Sequence, residues 1–280
     1  MGKRLWMGLV LACCAGAAWA NGPAAVRKQI ESSLLVEGSI DINADGSVAG
    51  YALEREAELP KGVVGVIGAA VPHWRFEPVA LGDGKVRART NMSLRLVAKQ
   101  LDKDSFTLQI RGAQFAQPER PGEFVSSNGL PPPVYPSELG GRGIGGVVYV
   151  VAKVGRDGRV DDVVSEQVNL FTIGNVREMA HWRELLVRAT LTGARRWTFN
   201  PPTRGEDADD SHWLVRVPVS YTPYGHREPK YGEWQAYIPG PHMGNPWHSE
   251  KSGISADAVA GGGVYPLDGG PRLLTPLGGS

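Results

Sequence analysis

A repeated order of local features constrains the fold of this 280-residue chain more than any other property of its sequence. Each copy begins with an alternating apolar and polar run that reaches an Asp-Gly pair, at Asp45-Gly46 and again at Asp157-Gly158. Asp-Gly between β-branched runs predicts a hairpin, because glycine supplies the positive φ that the turn requires. An aromatic signature and one alternating strand follow each hairpin, so the pattern predicts two related units.

Each copy carries one aromatic signature after its hairpin. The first reads Trp74-Arg75-Phe76-Glu77-Pro78 and the second reads Trp197-Thr198-Phe199-Asn200-Pro201. A fully buried aromatic side chain removes about 150–250 Å² from water, which is a dominant packing contribution in a small unit. We therefore expect a structural core role, rather than a binding role, for four side chains: Trp74, Phe76, Trp197 and Phe199.

A helix is predicted between hairpin and signature in each copy. In the second copy the apolar residues recur at helical spacing: Met179, Trp182, Leu186 and Ala189. In the first copy three glycines weaken a similar pattern, and Pro72 is expected to end or kink the helix. Each unit is therefore predicted to be an α+β layer, in which an antiparallel sheet is covered on one face by a helix.

The N-terminal residues have the order of a secretory signal peptide. Lys3 and Arg4 precede an apolar run, which ends in the small-residue site Ala18-Trp19-Ala20. We predict a cleaved signal peptide over residues 1–20 and hence an exported protein. Two alternatives remain open, a retained N-terminal membrane anchor and lipidation of Cys13. Cleavage removes both cysteines, Cys13 and Cys14, and with them any disulfide framework or cysteine zinc site.

Composition divides the rest of the chain. The two units are predicted over residues 26–115 and 131–222, with a proline-rich linker at 116–130. Residues 223–280 contain 12 glycines and 8 prolines with no sustained hydrophobic period. Such a segment buries too little apolar surface to offset its ordering entropy. We therefore predict a tail that is disordered or only loosely adherent.

Charge and motifs exclude several functions. Thirty basic side chains balance 29 acidic ones, and the net charge of +1 lacks the electrostatic footprint of a nucleic-acid-binding protein. The acidic run 206–210 lacks the spacing of a calcium loop, and His226, His242 and His248 have irregular spacing. No nucleophile or zinc-protease motif occurs. The sequence predicts no enzyme, no cofactor, no metal site and no small-molecule substrate.

The second unit resembles the TonB C-terminal domain family over residues 131–222. Five segments carry the resemblance in the family's order: Tyr135-Pro136, Gly145-Gly146-Val147, Asp157-Gly158-Arg159-Val160-Asp161-Asp162-Val163, Arg195-Arg196-Trp197-Thr198-Phe199-Asn200-Pro201 and Val217-Pro218-Val219-Ser220-Tyr221. The first unit resembles the same family more weakly over residues 36–98, because it lacks the Tyr-Pro opening. We expect it to be a degenerate copy.

The resemblance implies a periplasmic protein whose partner is an extended peptide of an envelope or outer-membrane receptor protein. It also implies a link to TonB-dependent transport. Two features depart from the family's energy transducers: residues 5–20 contain no histidine of the kind found in their membrane anchors, and a second unit replaces their long spacer. The expected function is therefore peptide binding, and force transmission stays open.

The last strand of the second unit is the predicted binding edge. Pro218 lacks an N–H group, which favours an edge strand over a central one. An edge strand accepts a peptide by β-augmentation. The predicted binding residues are Tyr135, Pro136, Val215, Val217, Pro218, Val219 and Tyr221. Pro218 also fits a simpler role, blunting an edge against aggregation. The alternative function is a structural envelope scaffold, or a homo-oligomer whose sheet edges pair with each other.

Three arginines of the first unit share the strand face opposite its apolar residues: Arg87, Arg89 and Arg95. Such a face fits either acidic partners and lipid head groups or a simple solvated surface. We expect the solvated surface.

Overall fold

The computed structural model describes residues 29–79, 86–102, 105–116, 122–227, 229–247, 256, 258–259, 263–267 and 270–277. Within these residues the protein is an α+β structure built mostly from antiparallel strands, as the sequence predicts. The predicted signal peptide at 1–20 lies outside the described residues.

The first sheet is formed mainly by the N-terminal third of the chain. Its strands are β1 (Glu31–Asn43), β2 (Val48–Leu53), β3 (Arg87–Gln100), β4 (Phe106–Ala116) and β10 (Gln235–Tyr237). The central strand β1 pairs with β3 along one edge and with β2 and β10 along the other, and β4 follows β3. Helix α1 (Lys61–Ala70) and a 3₁₀ turn at Val71–His73 cover one face.

The second sheet is formed mainly by strands from the later part of the chain. Its strands are β6 (Gly146–Gly155), β7 (Val160–Leu170), β9 (His212–Tyr221) and β11 (Tyr265–Pro266), in the order β11-β9-β6-β7. The main helix is α3 (Val176–Ala194), and a short helix α2 (Ser137–Gly140) precedes β6. A separate two-stranded ladder joins β5 (Ser126–Gly129) to β8 (Thr198–Asn200). Part of the predicted linker is therefore a strand.

The two Asp-Gly hairpins make the same contacts. Gly46 and Gly158 have φ of 80° and 75°, the left-handed region that favours glycine. Phe76 donates its N–H to the Gly46 carbonyl, and Phe199 donates its N–H to the Gly158 carbonyl, both at 2.8 Å. A Cβ at either glycine would collide with the carbonyl oxygen of the same phenylalanine. Each hairpin turn thus fixes its aromatic signature.

Helix α3 begins with a complete capping box. The Asn175 side chain accepts the N–H of Glu178 at 3.0 Å, and the Glu178 carboxylate accepts the N–H of Asn175 at 2.9 Å. Such a box satisfies two of the helix's free N–H groups. Helix α1 has no side-chain cap, and it ends where Pro72 enters the 3₁₀ turn. Helix α1 is therefore shorter and less well capped than α3, as its glycine content predicts.

Each sheet has its own core on the helix-covered face. The four signature aromatics lie in these cores, Trp74 and Phe76 in the first and Trp197 and Phe199 in the second. In the first core the Phe76 and Trp74 rings meet the Phe115 ring edge to face, with centroids 4.9 and 5.8 Å apart. Both α1 and α3 bury their apolar stripes against these residues.

The two sheets turn their helix-free faces toward each other. Arg95 of β3 donates to the Tyr149 hydroxyl of β6 at 3.1 Å and to Ser33 Oγ of β1 at 2.7 Å. Tyr149 is buried in a small cluster with Ala256 and Val259. The predicted solvated arginine face is thus divided: Arg95 lies between the sheets, whereas Arg87 and Arg89 are exposed.

The tail prediction is wrong for the described residues of 223–280. Strand β10 pairs with Glu31–Ser33 of the first sheet, and Ile238 exchanges backbone hydrogen bonds with Leu170 of the second. Strand β11 pairs with β9, and Leu273 forms a β-bridge with Phe76. Main-chain pairing to other elements holds much of this segment in place. Such pairing requires no regular spacing of apolar side chains, so the sequence shows no hydrophobic period there.

One half-buried arginine fastens this C-terminal segment to α3 and β7. Arg183 donates to the carbonyls of Val168, Ile238 and Pro239 at 3.2–3.4 Å. Burial lowers the pKa of its guanidinium group. Arg183 therefore holds the backbone of the C-terminal segment against the second unit.

Candidate functional site: a cleft beside strand β9

A cavity of about 740 Å³ lies between the two units. Residues from both sheets line it, together with the segment before α2 and the C-terminal segment. Four consecutive residues of β9, numbers 217–220, border this space. Because successive side chains of a strand point to opposite faces, four neighbours in a row show that the cavity runs along the edge of β9.

The backbone of this edge has a defined polarity. Leu267 donates its N–H to the Leu214 carbonyl at 3.0 Å, so even-numbered residues of β9 direct their peptide groups away from β6. Beyond Arg216 these outward groups are the Pro218 carbonyl and the N–H and carbonyl of Ser220. Among the described residues, 217–221 have a strand partner, β6, on one side only.

The predicted vacant edge is wrong for the first half of β9. Tyr265 pairs with Arg216 and Pro266 with Val215, so a segment of the same chain already fills that part of the edge. The prediction failed here because the filling strand comes from the C-terminal segment, which has no strand pattern in its sequence. We name residues 264–267 the clasp.

Pro218 stands where the clasp ladder stops. The next outward position after Arg216 on β9 is residue 218, and a proline there has no N–H to donate. Pro218 thus marks the boundary between the covered half of the edge and the open half along the cleft. It acts as an edge proline in the position that the sequence predicts.

One wall of the cleft is apolar. Residues 130–133 lie along the C-terminal end of α3, where Trp197 Nε1 donates to the Pro131 carbonyl at 3.0 Å. Pro133 packs closely on Gly193: a Cβ atom added to Gly193 would lie 2.8 Å from the Pro133 side chain. The cavity-lining residues on this wall are Leu130, Pro132, Pro133 and Trp197.

The opposite wall is polar and charged. It contains Ser33, Glu37 and Arg95 from the first sheet, and Arg227, Lys230 and Glu233 from the C-terminal segment. Arg227 forms a bidentate pair with Glu233, at 2.6 and 3.1 Å. The Arg227 hydrogen bond, followed by the backbone N–H of Lys230, lowers the pKa of Glu233 to about 2. This carboxylate therefore stays ionised under any physiological condition.

The structure separates the seven predicted binding residues. Three of them line the cavity: Val217, Pro218 and Val219. Val215 is buried and pairs with Pro266 of the clasp, and Pro136 is the N-cap residue of helix α2. The remaining two support the end of β9: Tyr135 donates to the Ile144 carbonyl at 2.6 Å, its ring lies 5.2 Å from that of Tyr221, and the Tyr221 hydroxyl is 2.8 Å from Thr190 Oγ1.

Several cleft residues were missed by sequence reasoning. Ser220 belongs to the family motif but is not among the predicted binding residues, although the alternation of the strand places its backbone groups on the open edge. Glu37 and Lys230 carry no sequence signal for this site, because only tertiary packing brings the first sheet and the C-terminal segment to the cleft. Tyr149 reaches the cleft as the residue of β6 that pairs with Pro218.

The free energy of unfolding is expected to fall above about pH 10, because two tyrosine side chains are buried in their protonated form. Burial raises the pKa of both Tyr135 and Tyr221 above 10.0. The unfolded chain then releases these protons first, so stability is complete below about pH 10 and falls as pH rises through the folded pKa values. Urea unfolding at pH 8 and at successive values above pH 10 measures this fall.

In Tyr221→Phe we expect the free energy of unfolding to decrease less steeply with pH above pH 10. Tyr224→Phe is the matched control, because the Tyr224 side chain is fully exposed. Equal slopes above pH 10 in the two variants would contradict the assignment.

The described residues were searched for a metal site and a membrane-spanning helix, and the chain was compared with known proteins. Within the described part of the chain, no group of three His, Cys, Asp or Glu side chains is placed to hold a metal ion. None of the described helices has the length and apolar character needed to cross a membrane. Comparison with protein-family models, curated proteins and solved structures finds no match for this chain.

Proposed function

We propose that this protein binds an extended peptide segment of an envelope or outer-membrane transport protein, along the open half of the β9 edge. The observation that carries the proposal is the position of residues 217–220, which border the cavity and, among the described residues, pair with a strand on one side only. Main-chain groups on such an edge give affinity, and the two walls of the cleft give selectivity.

We further propose that the chain is a duplication of one unit similar to the TonB C-terminal domain. The paired hairpins support it, since the same hydrogen bond joins signature to turn in both copies. The strand orders β2-β1-β3 and β7-β6-β9 support it as well. In the first unit β4 covers the edge of β3 that corresponds to the edge of β9. The edge that corresponds to the open half of β9 is therefore covered in the first unit.

The proposed setting is the periplasm, reached through the signal peptide at residues 1–20. A retained N-terminus or a lipidated Cys13 would instead place the same cleft at a membrane. The intact mass of the protein from the producing cell's envelope separates these cases. A mass beginning at Asn21 supports the free periplasmic form.

The open half of the edge by itself supports only weak binding. Three outward groups, each contributing a net 0.5–1.5 kcal/mol, give about 1.5–4.5 kcal/mol before ordering costs. A micromolar complex needs about 8 kcal/mol. Contacts with the apolar wall and with the charged wall must therefore supply much of the affinity.

Titration with synthetic peptides from the plug segments of outer-membrane receptors tests the function. We expect saturable binding to the purified protein, with Ser220→Pro weakening it about tenfold because it removes the outward N–H group. Binding that does not saturate at high micromolar peptide would contradict the proposal.

Ser211→Pro is the matched control for this substitution. Ser211 is exposed and lies just before β9, at the end opposite Ser220. The preceding Asp210 is extended, with φ of −62° and ψ of 150°, a conformation compatible with a following proline. We expect its affinity for the peptide to equal that of the unaltered protein.

Self-association is the second candidate, and one observation favours it. Strand β4 ends the first sheet, and among the described residues it pairs with β3 alone. Phe106, at its beginning, is 63% exposed. Concentration-dependent sedimentation without peptide binding would support the scaffold function over the peptide-binding one.

A further inference from the structure

The clasp shows what kind of segment the β9 edge accepts. We propose that residues 264–267 are the chain's own stand-in for its partner, and that the partner is an extended segment with the pattern apolar, aromatic, proline, apolar, which displaces them. The proposal rests on the proposed function, because it names the class of peptide for that same edge.

The side chains of the clasp alternate between two apolar surroundings. Tyr265 lies opposite Arg216 and packs on the helix-free face, against the cluster of Tyr149, Ala256 and Val259. Val264 packs against the core on the α3 side. All four clasp residues are half-buried. Alternate positions thus fill different sites, which is how a peptide added to a sheet edge is selected.

The proline of the clasp stands where the ladder tolerates it. Leu267 donates to Leu214 and Tyr265 lies opposite Arg216, so the nitrogen of Pro266 faces away from β9. A proline at that position leaves the ladder with β9 intact, and it prevents a further strand from adding to the clasp. The pattern therefore favours a single added strand.

A second Val-Tyr-Pro tripeptide occurs at residues 134–136 and lies near the other end of the same strand. Its Tyr135 ring packs against Tyr221, the last residue of β9. Both copies of the tripeptide thus contact the second unit at β9 or beside its end.

The covered half of the edge offers more backbone hydrogen-bonding groups than the open half. Leu214 and Arg216 direct four backbone groups toward the clasp, whereas the open half offers the three groups of Pro218 and Ser220. A partner gains the whole edge only by displacing residues 264–267. The clasp therefore sets the affinity that a partner needs, because a segment of the same chain competes for the edge at an effective concentration of about 1 mM.

A peptide with the sequence of residues 262–268 is the probe. We expect it to bind the full-length Tyr265→Ser variant at least about tenfold more tightly than the unaltered protein, because the emptied edge no longer carries its own competitor. Leu267→Pro, which removes the hydrogen bond to Leu214, is a second variant with the same expected result should Tyr265→Ser fail to fold. Tyr224→Ser, at a fully exposed tyrosine of the same C-terminal segment, is the matched control.

Unchanged affinity for the probe in folded Tyr265→Ser or Leu267→Pro protein would overturn the proposal. Its failure is distinguishable from that of the peptide-binding function. If receptor peptides bind and the probe does not, the clasp is only structural. If the probe binds the variants and receptor peptides bind neither form, the edge accepts clasp-like segments and the assigned partner class is wrong.

Discussion

Removing either partner of the ion pair between Glu166 and Arg216 is expected to lower the free energy of unfolding by about 3–5 kcal/mol. The side chains are only 1% and 3% exposed, and Arg216 donates two hydrogen bonds to the carboxylate, at 2.6 and 2.9 Å. A single substitution, Arg216→Ala or Glu166→Gln, leaves one of these groups buried without its partner. Urea unfolding at neutral pH measures the loss.

An exposed pair provides the control. Arg188 and Glu184 lie one turn apart on α3 with side chains 67% and 63% exposed, and such pairs contribute at most about 0.5 kcal/mol. A similar loss in Arg188→Ala and Arg216→Ala would refute the expectation. The double variant Glu166→Leu with Arg216→Met should recover most of the stability, because a buried pair replaced by apolar side chains is often neutral.

The ion pair also connects the fold to the proposed binding edge. Arg216 is the residue of β9 that lies opposite Tyr265 of the clasp, and Met243 of the C-terminal segment donates its N–H to the Glu166 carbonyl at 2.7 Å. Two covering segments therefore pass beside one buried pair. We expect variants of the pair to loosen the clasp as well as the second core.

Phe199→Ala and Phe76→Ala are each expected to cost about 3–5 kcal/mol, the range for truncating a buried phenylalanine. Both side chains lie in the centre of their own cores, with exposures of 2% and 1%. The backbone N–H of each also bonds to the hairpin glycine, so the substitution tests the side chain while leaving that hydrogen bond in place. Thermal and urea unfolding of the two variants measure the losses.

Phe106→Ala is the matched control, because its side chain is mostly exposed and the expected change is below about 0.5 kcal/mol. The number of steps in the unfolding transition shows whether the two units unfold together. Since the C-terminal segment pairs with both sheets, we expect each variant to unfold in one step. Two separate transitions would show that the units fold independently of that segment.

Much of each unit was predictable because its determinants are local. An Asp-Gly pair specifies the turn, and the apolar spacing of Met179, Trp182 and Leu186 specifies the helix that covers the second sheet. The same reasoning correctly expected a weaker first helix, since glycine and Pro72 act within a few residues of their own position. Strand β4 also carries an alternation of this local kind, but no strand is predicted for it from the sequence.

The sequence by itself determined the hairpins, the helix positions and the apolar faces of the strands, because each depends on residues close together in the chain. Only the tertiary structure decided the site. The clasp reaches Arg216 from about 50 positions further along the chain, and Arg95 meets Tyr149 only because the two helix-free faces stack. Main-chain pairing between distant segments leaves no periodic pattern of side chains, so neither the covered half of the β9 edge nor the cleft beside it could be read from the order of residues.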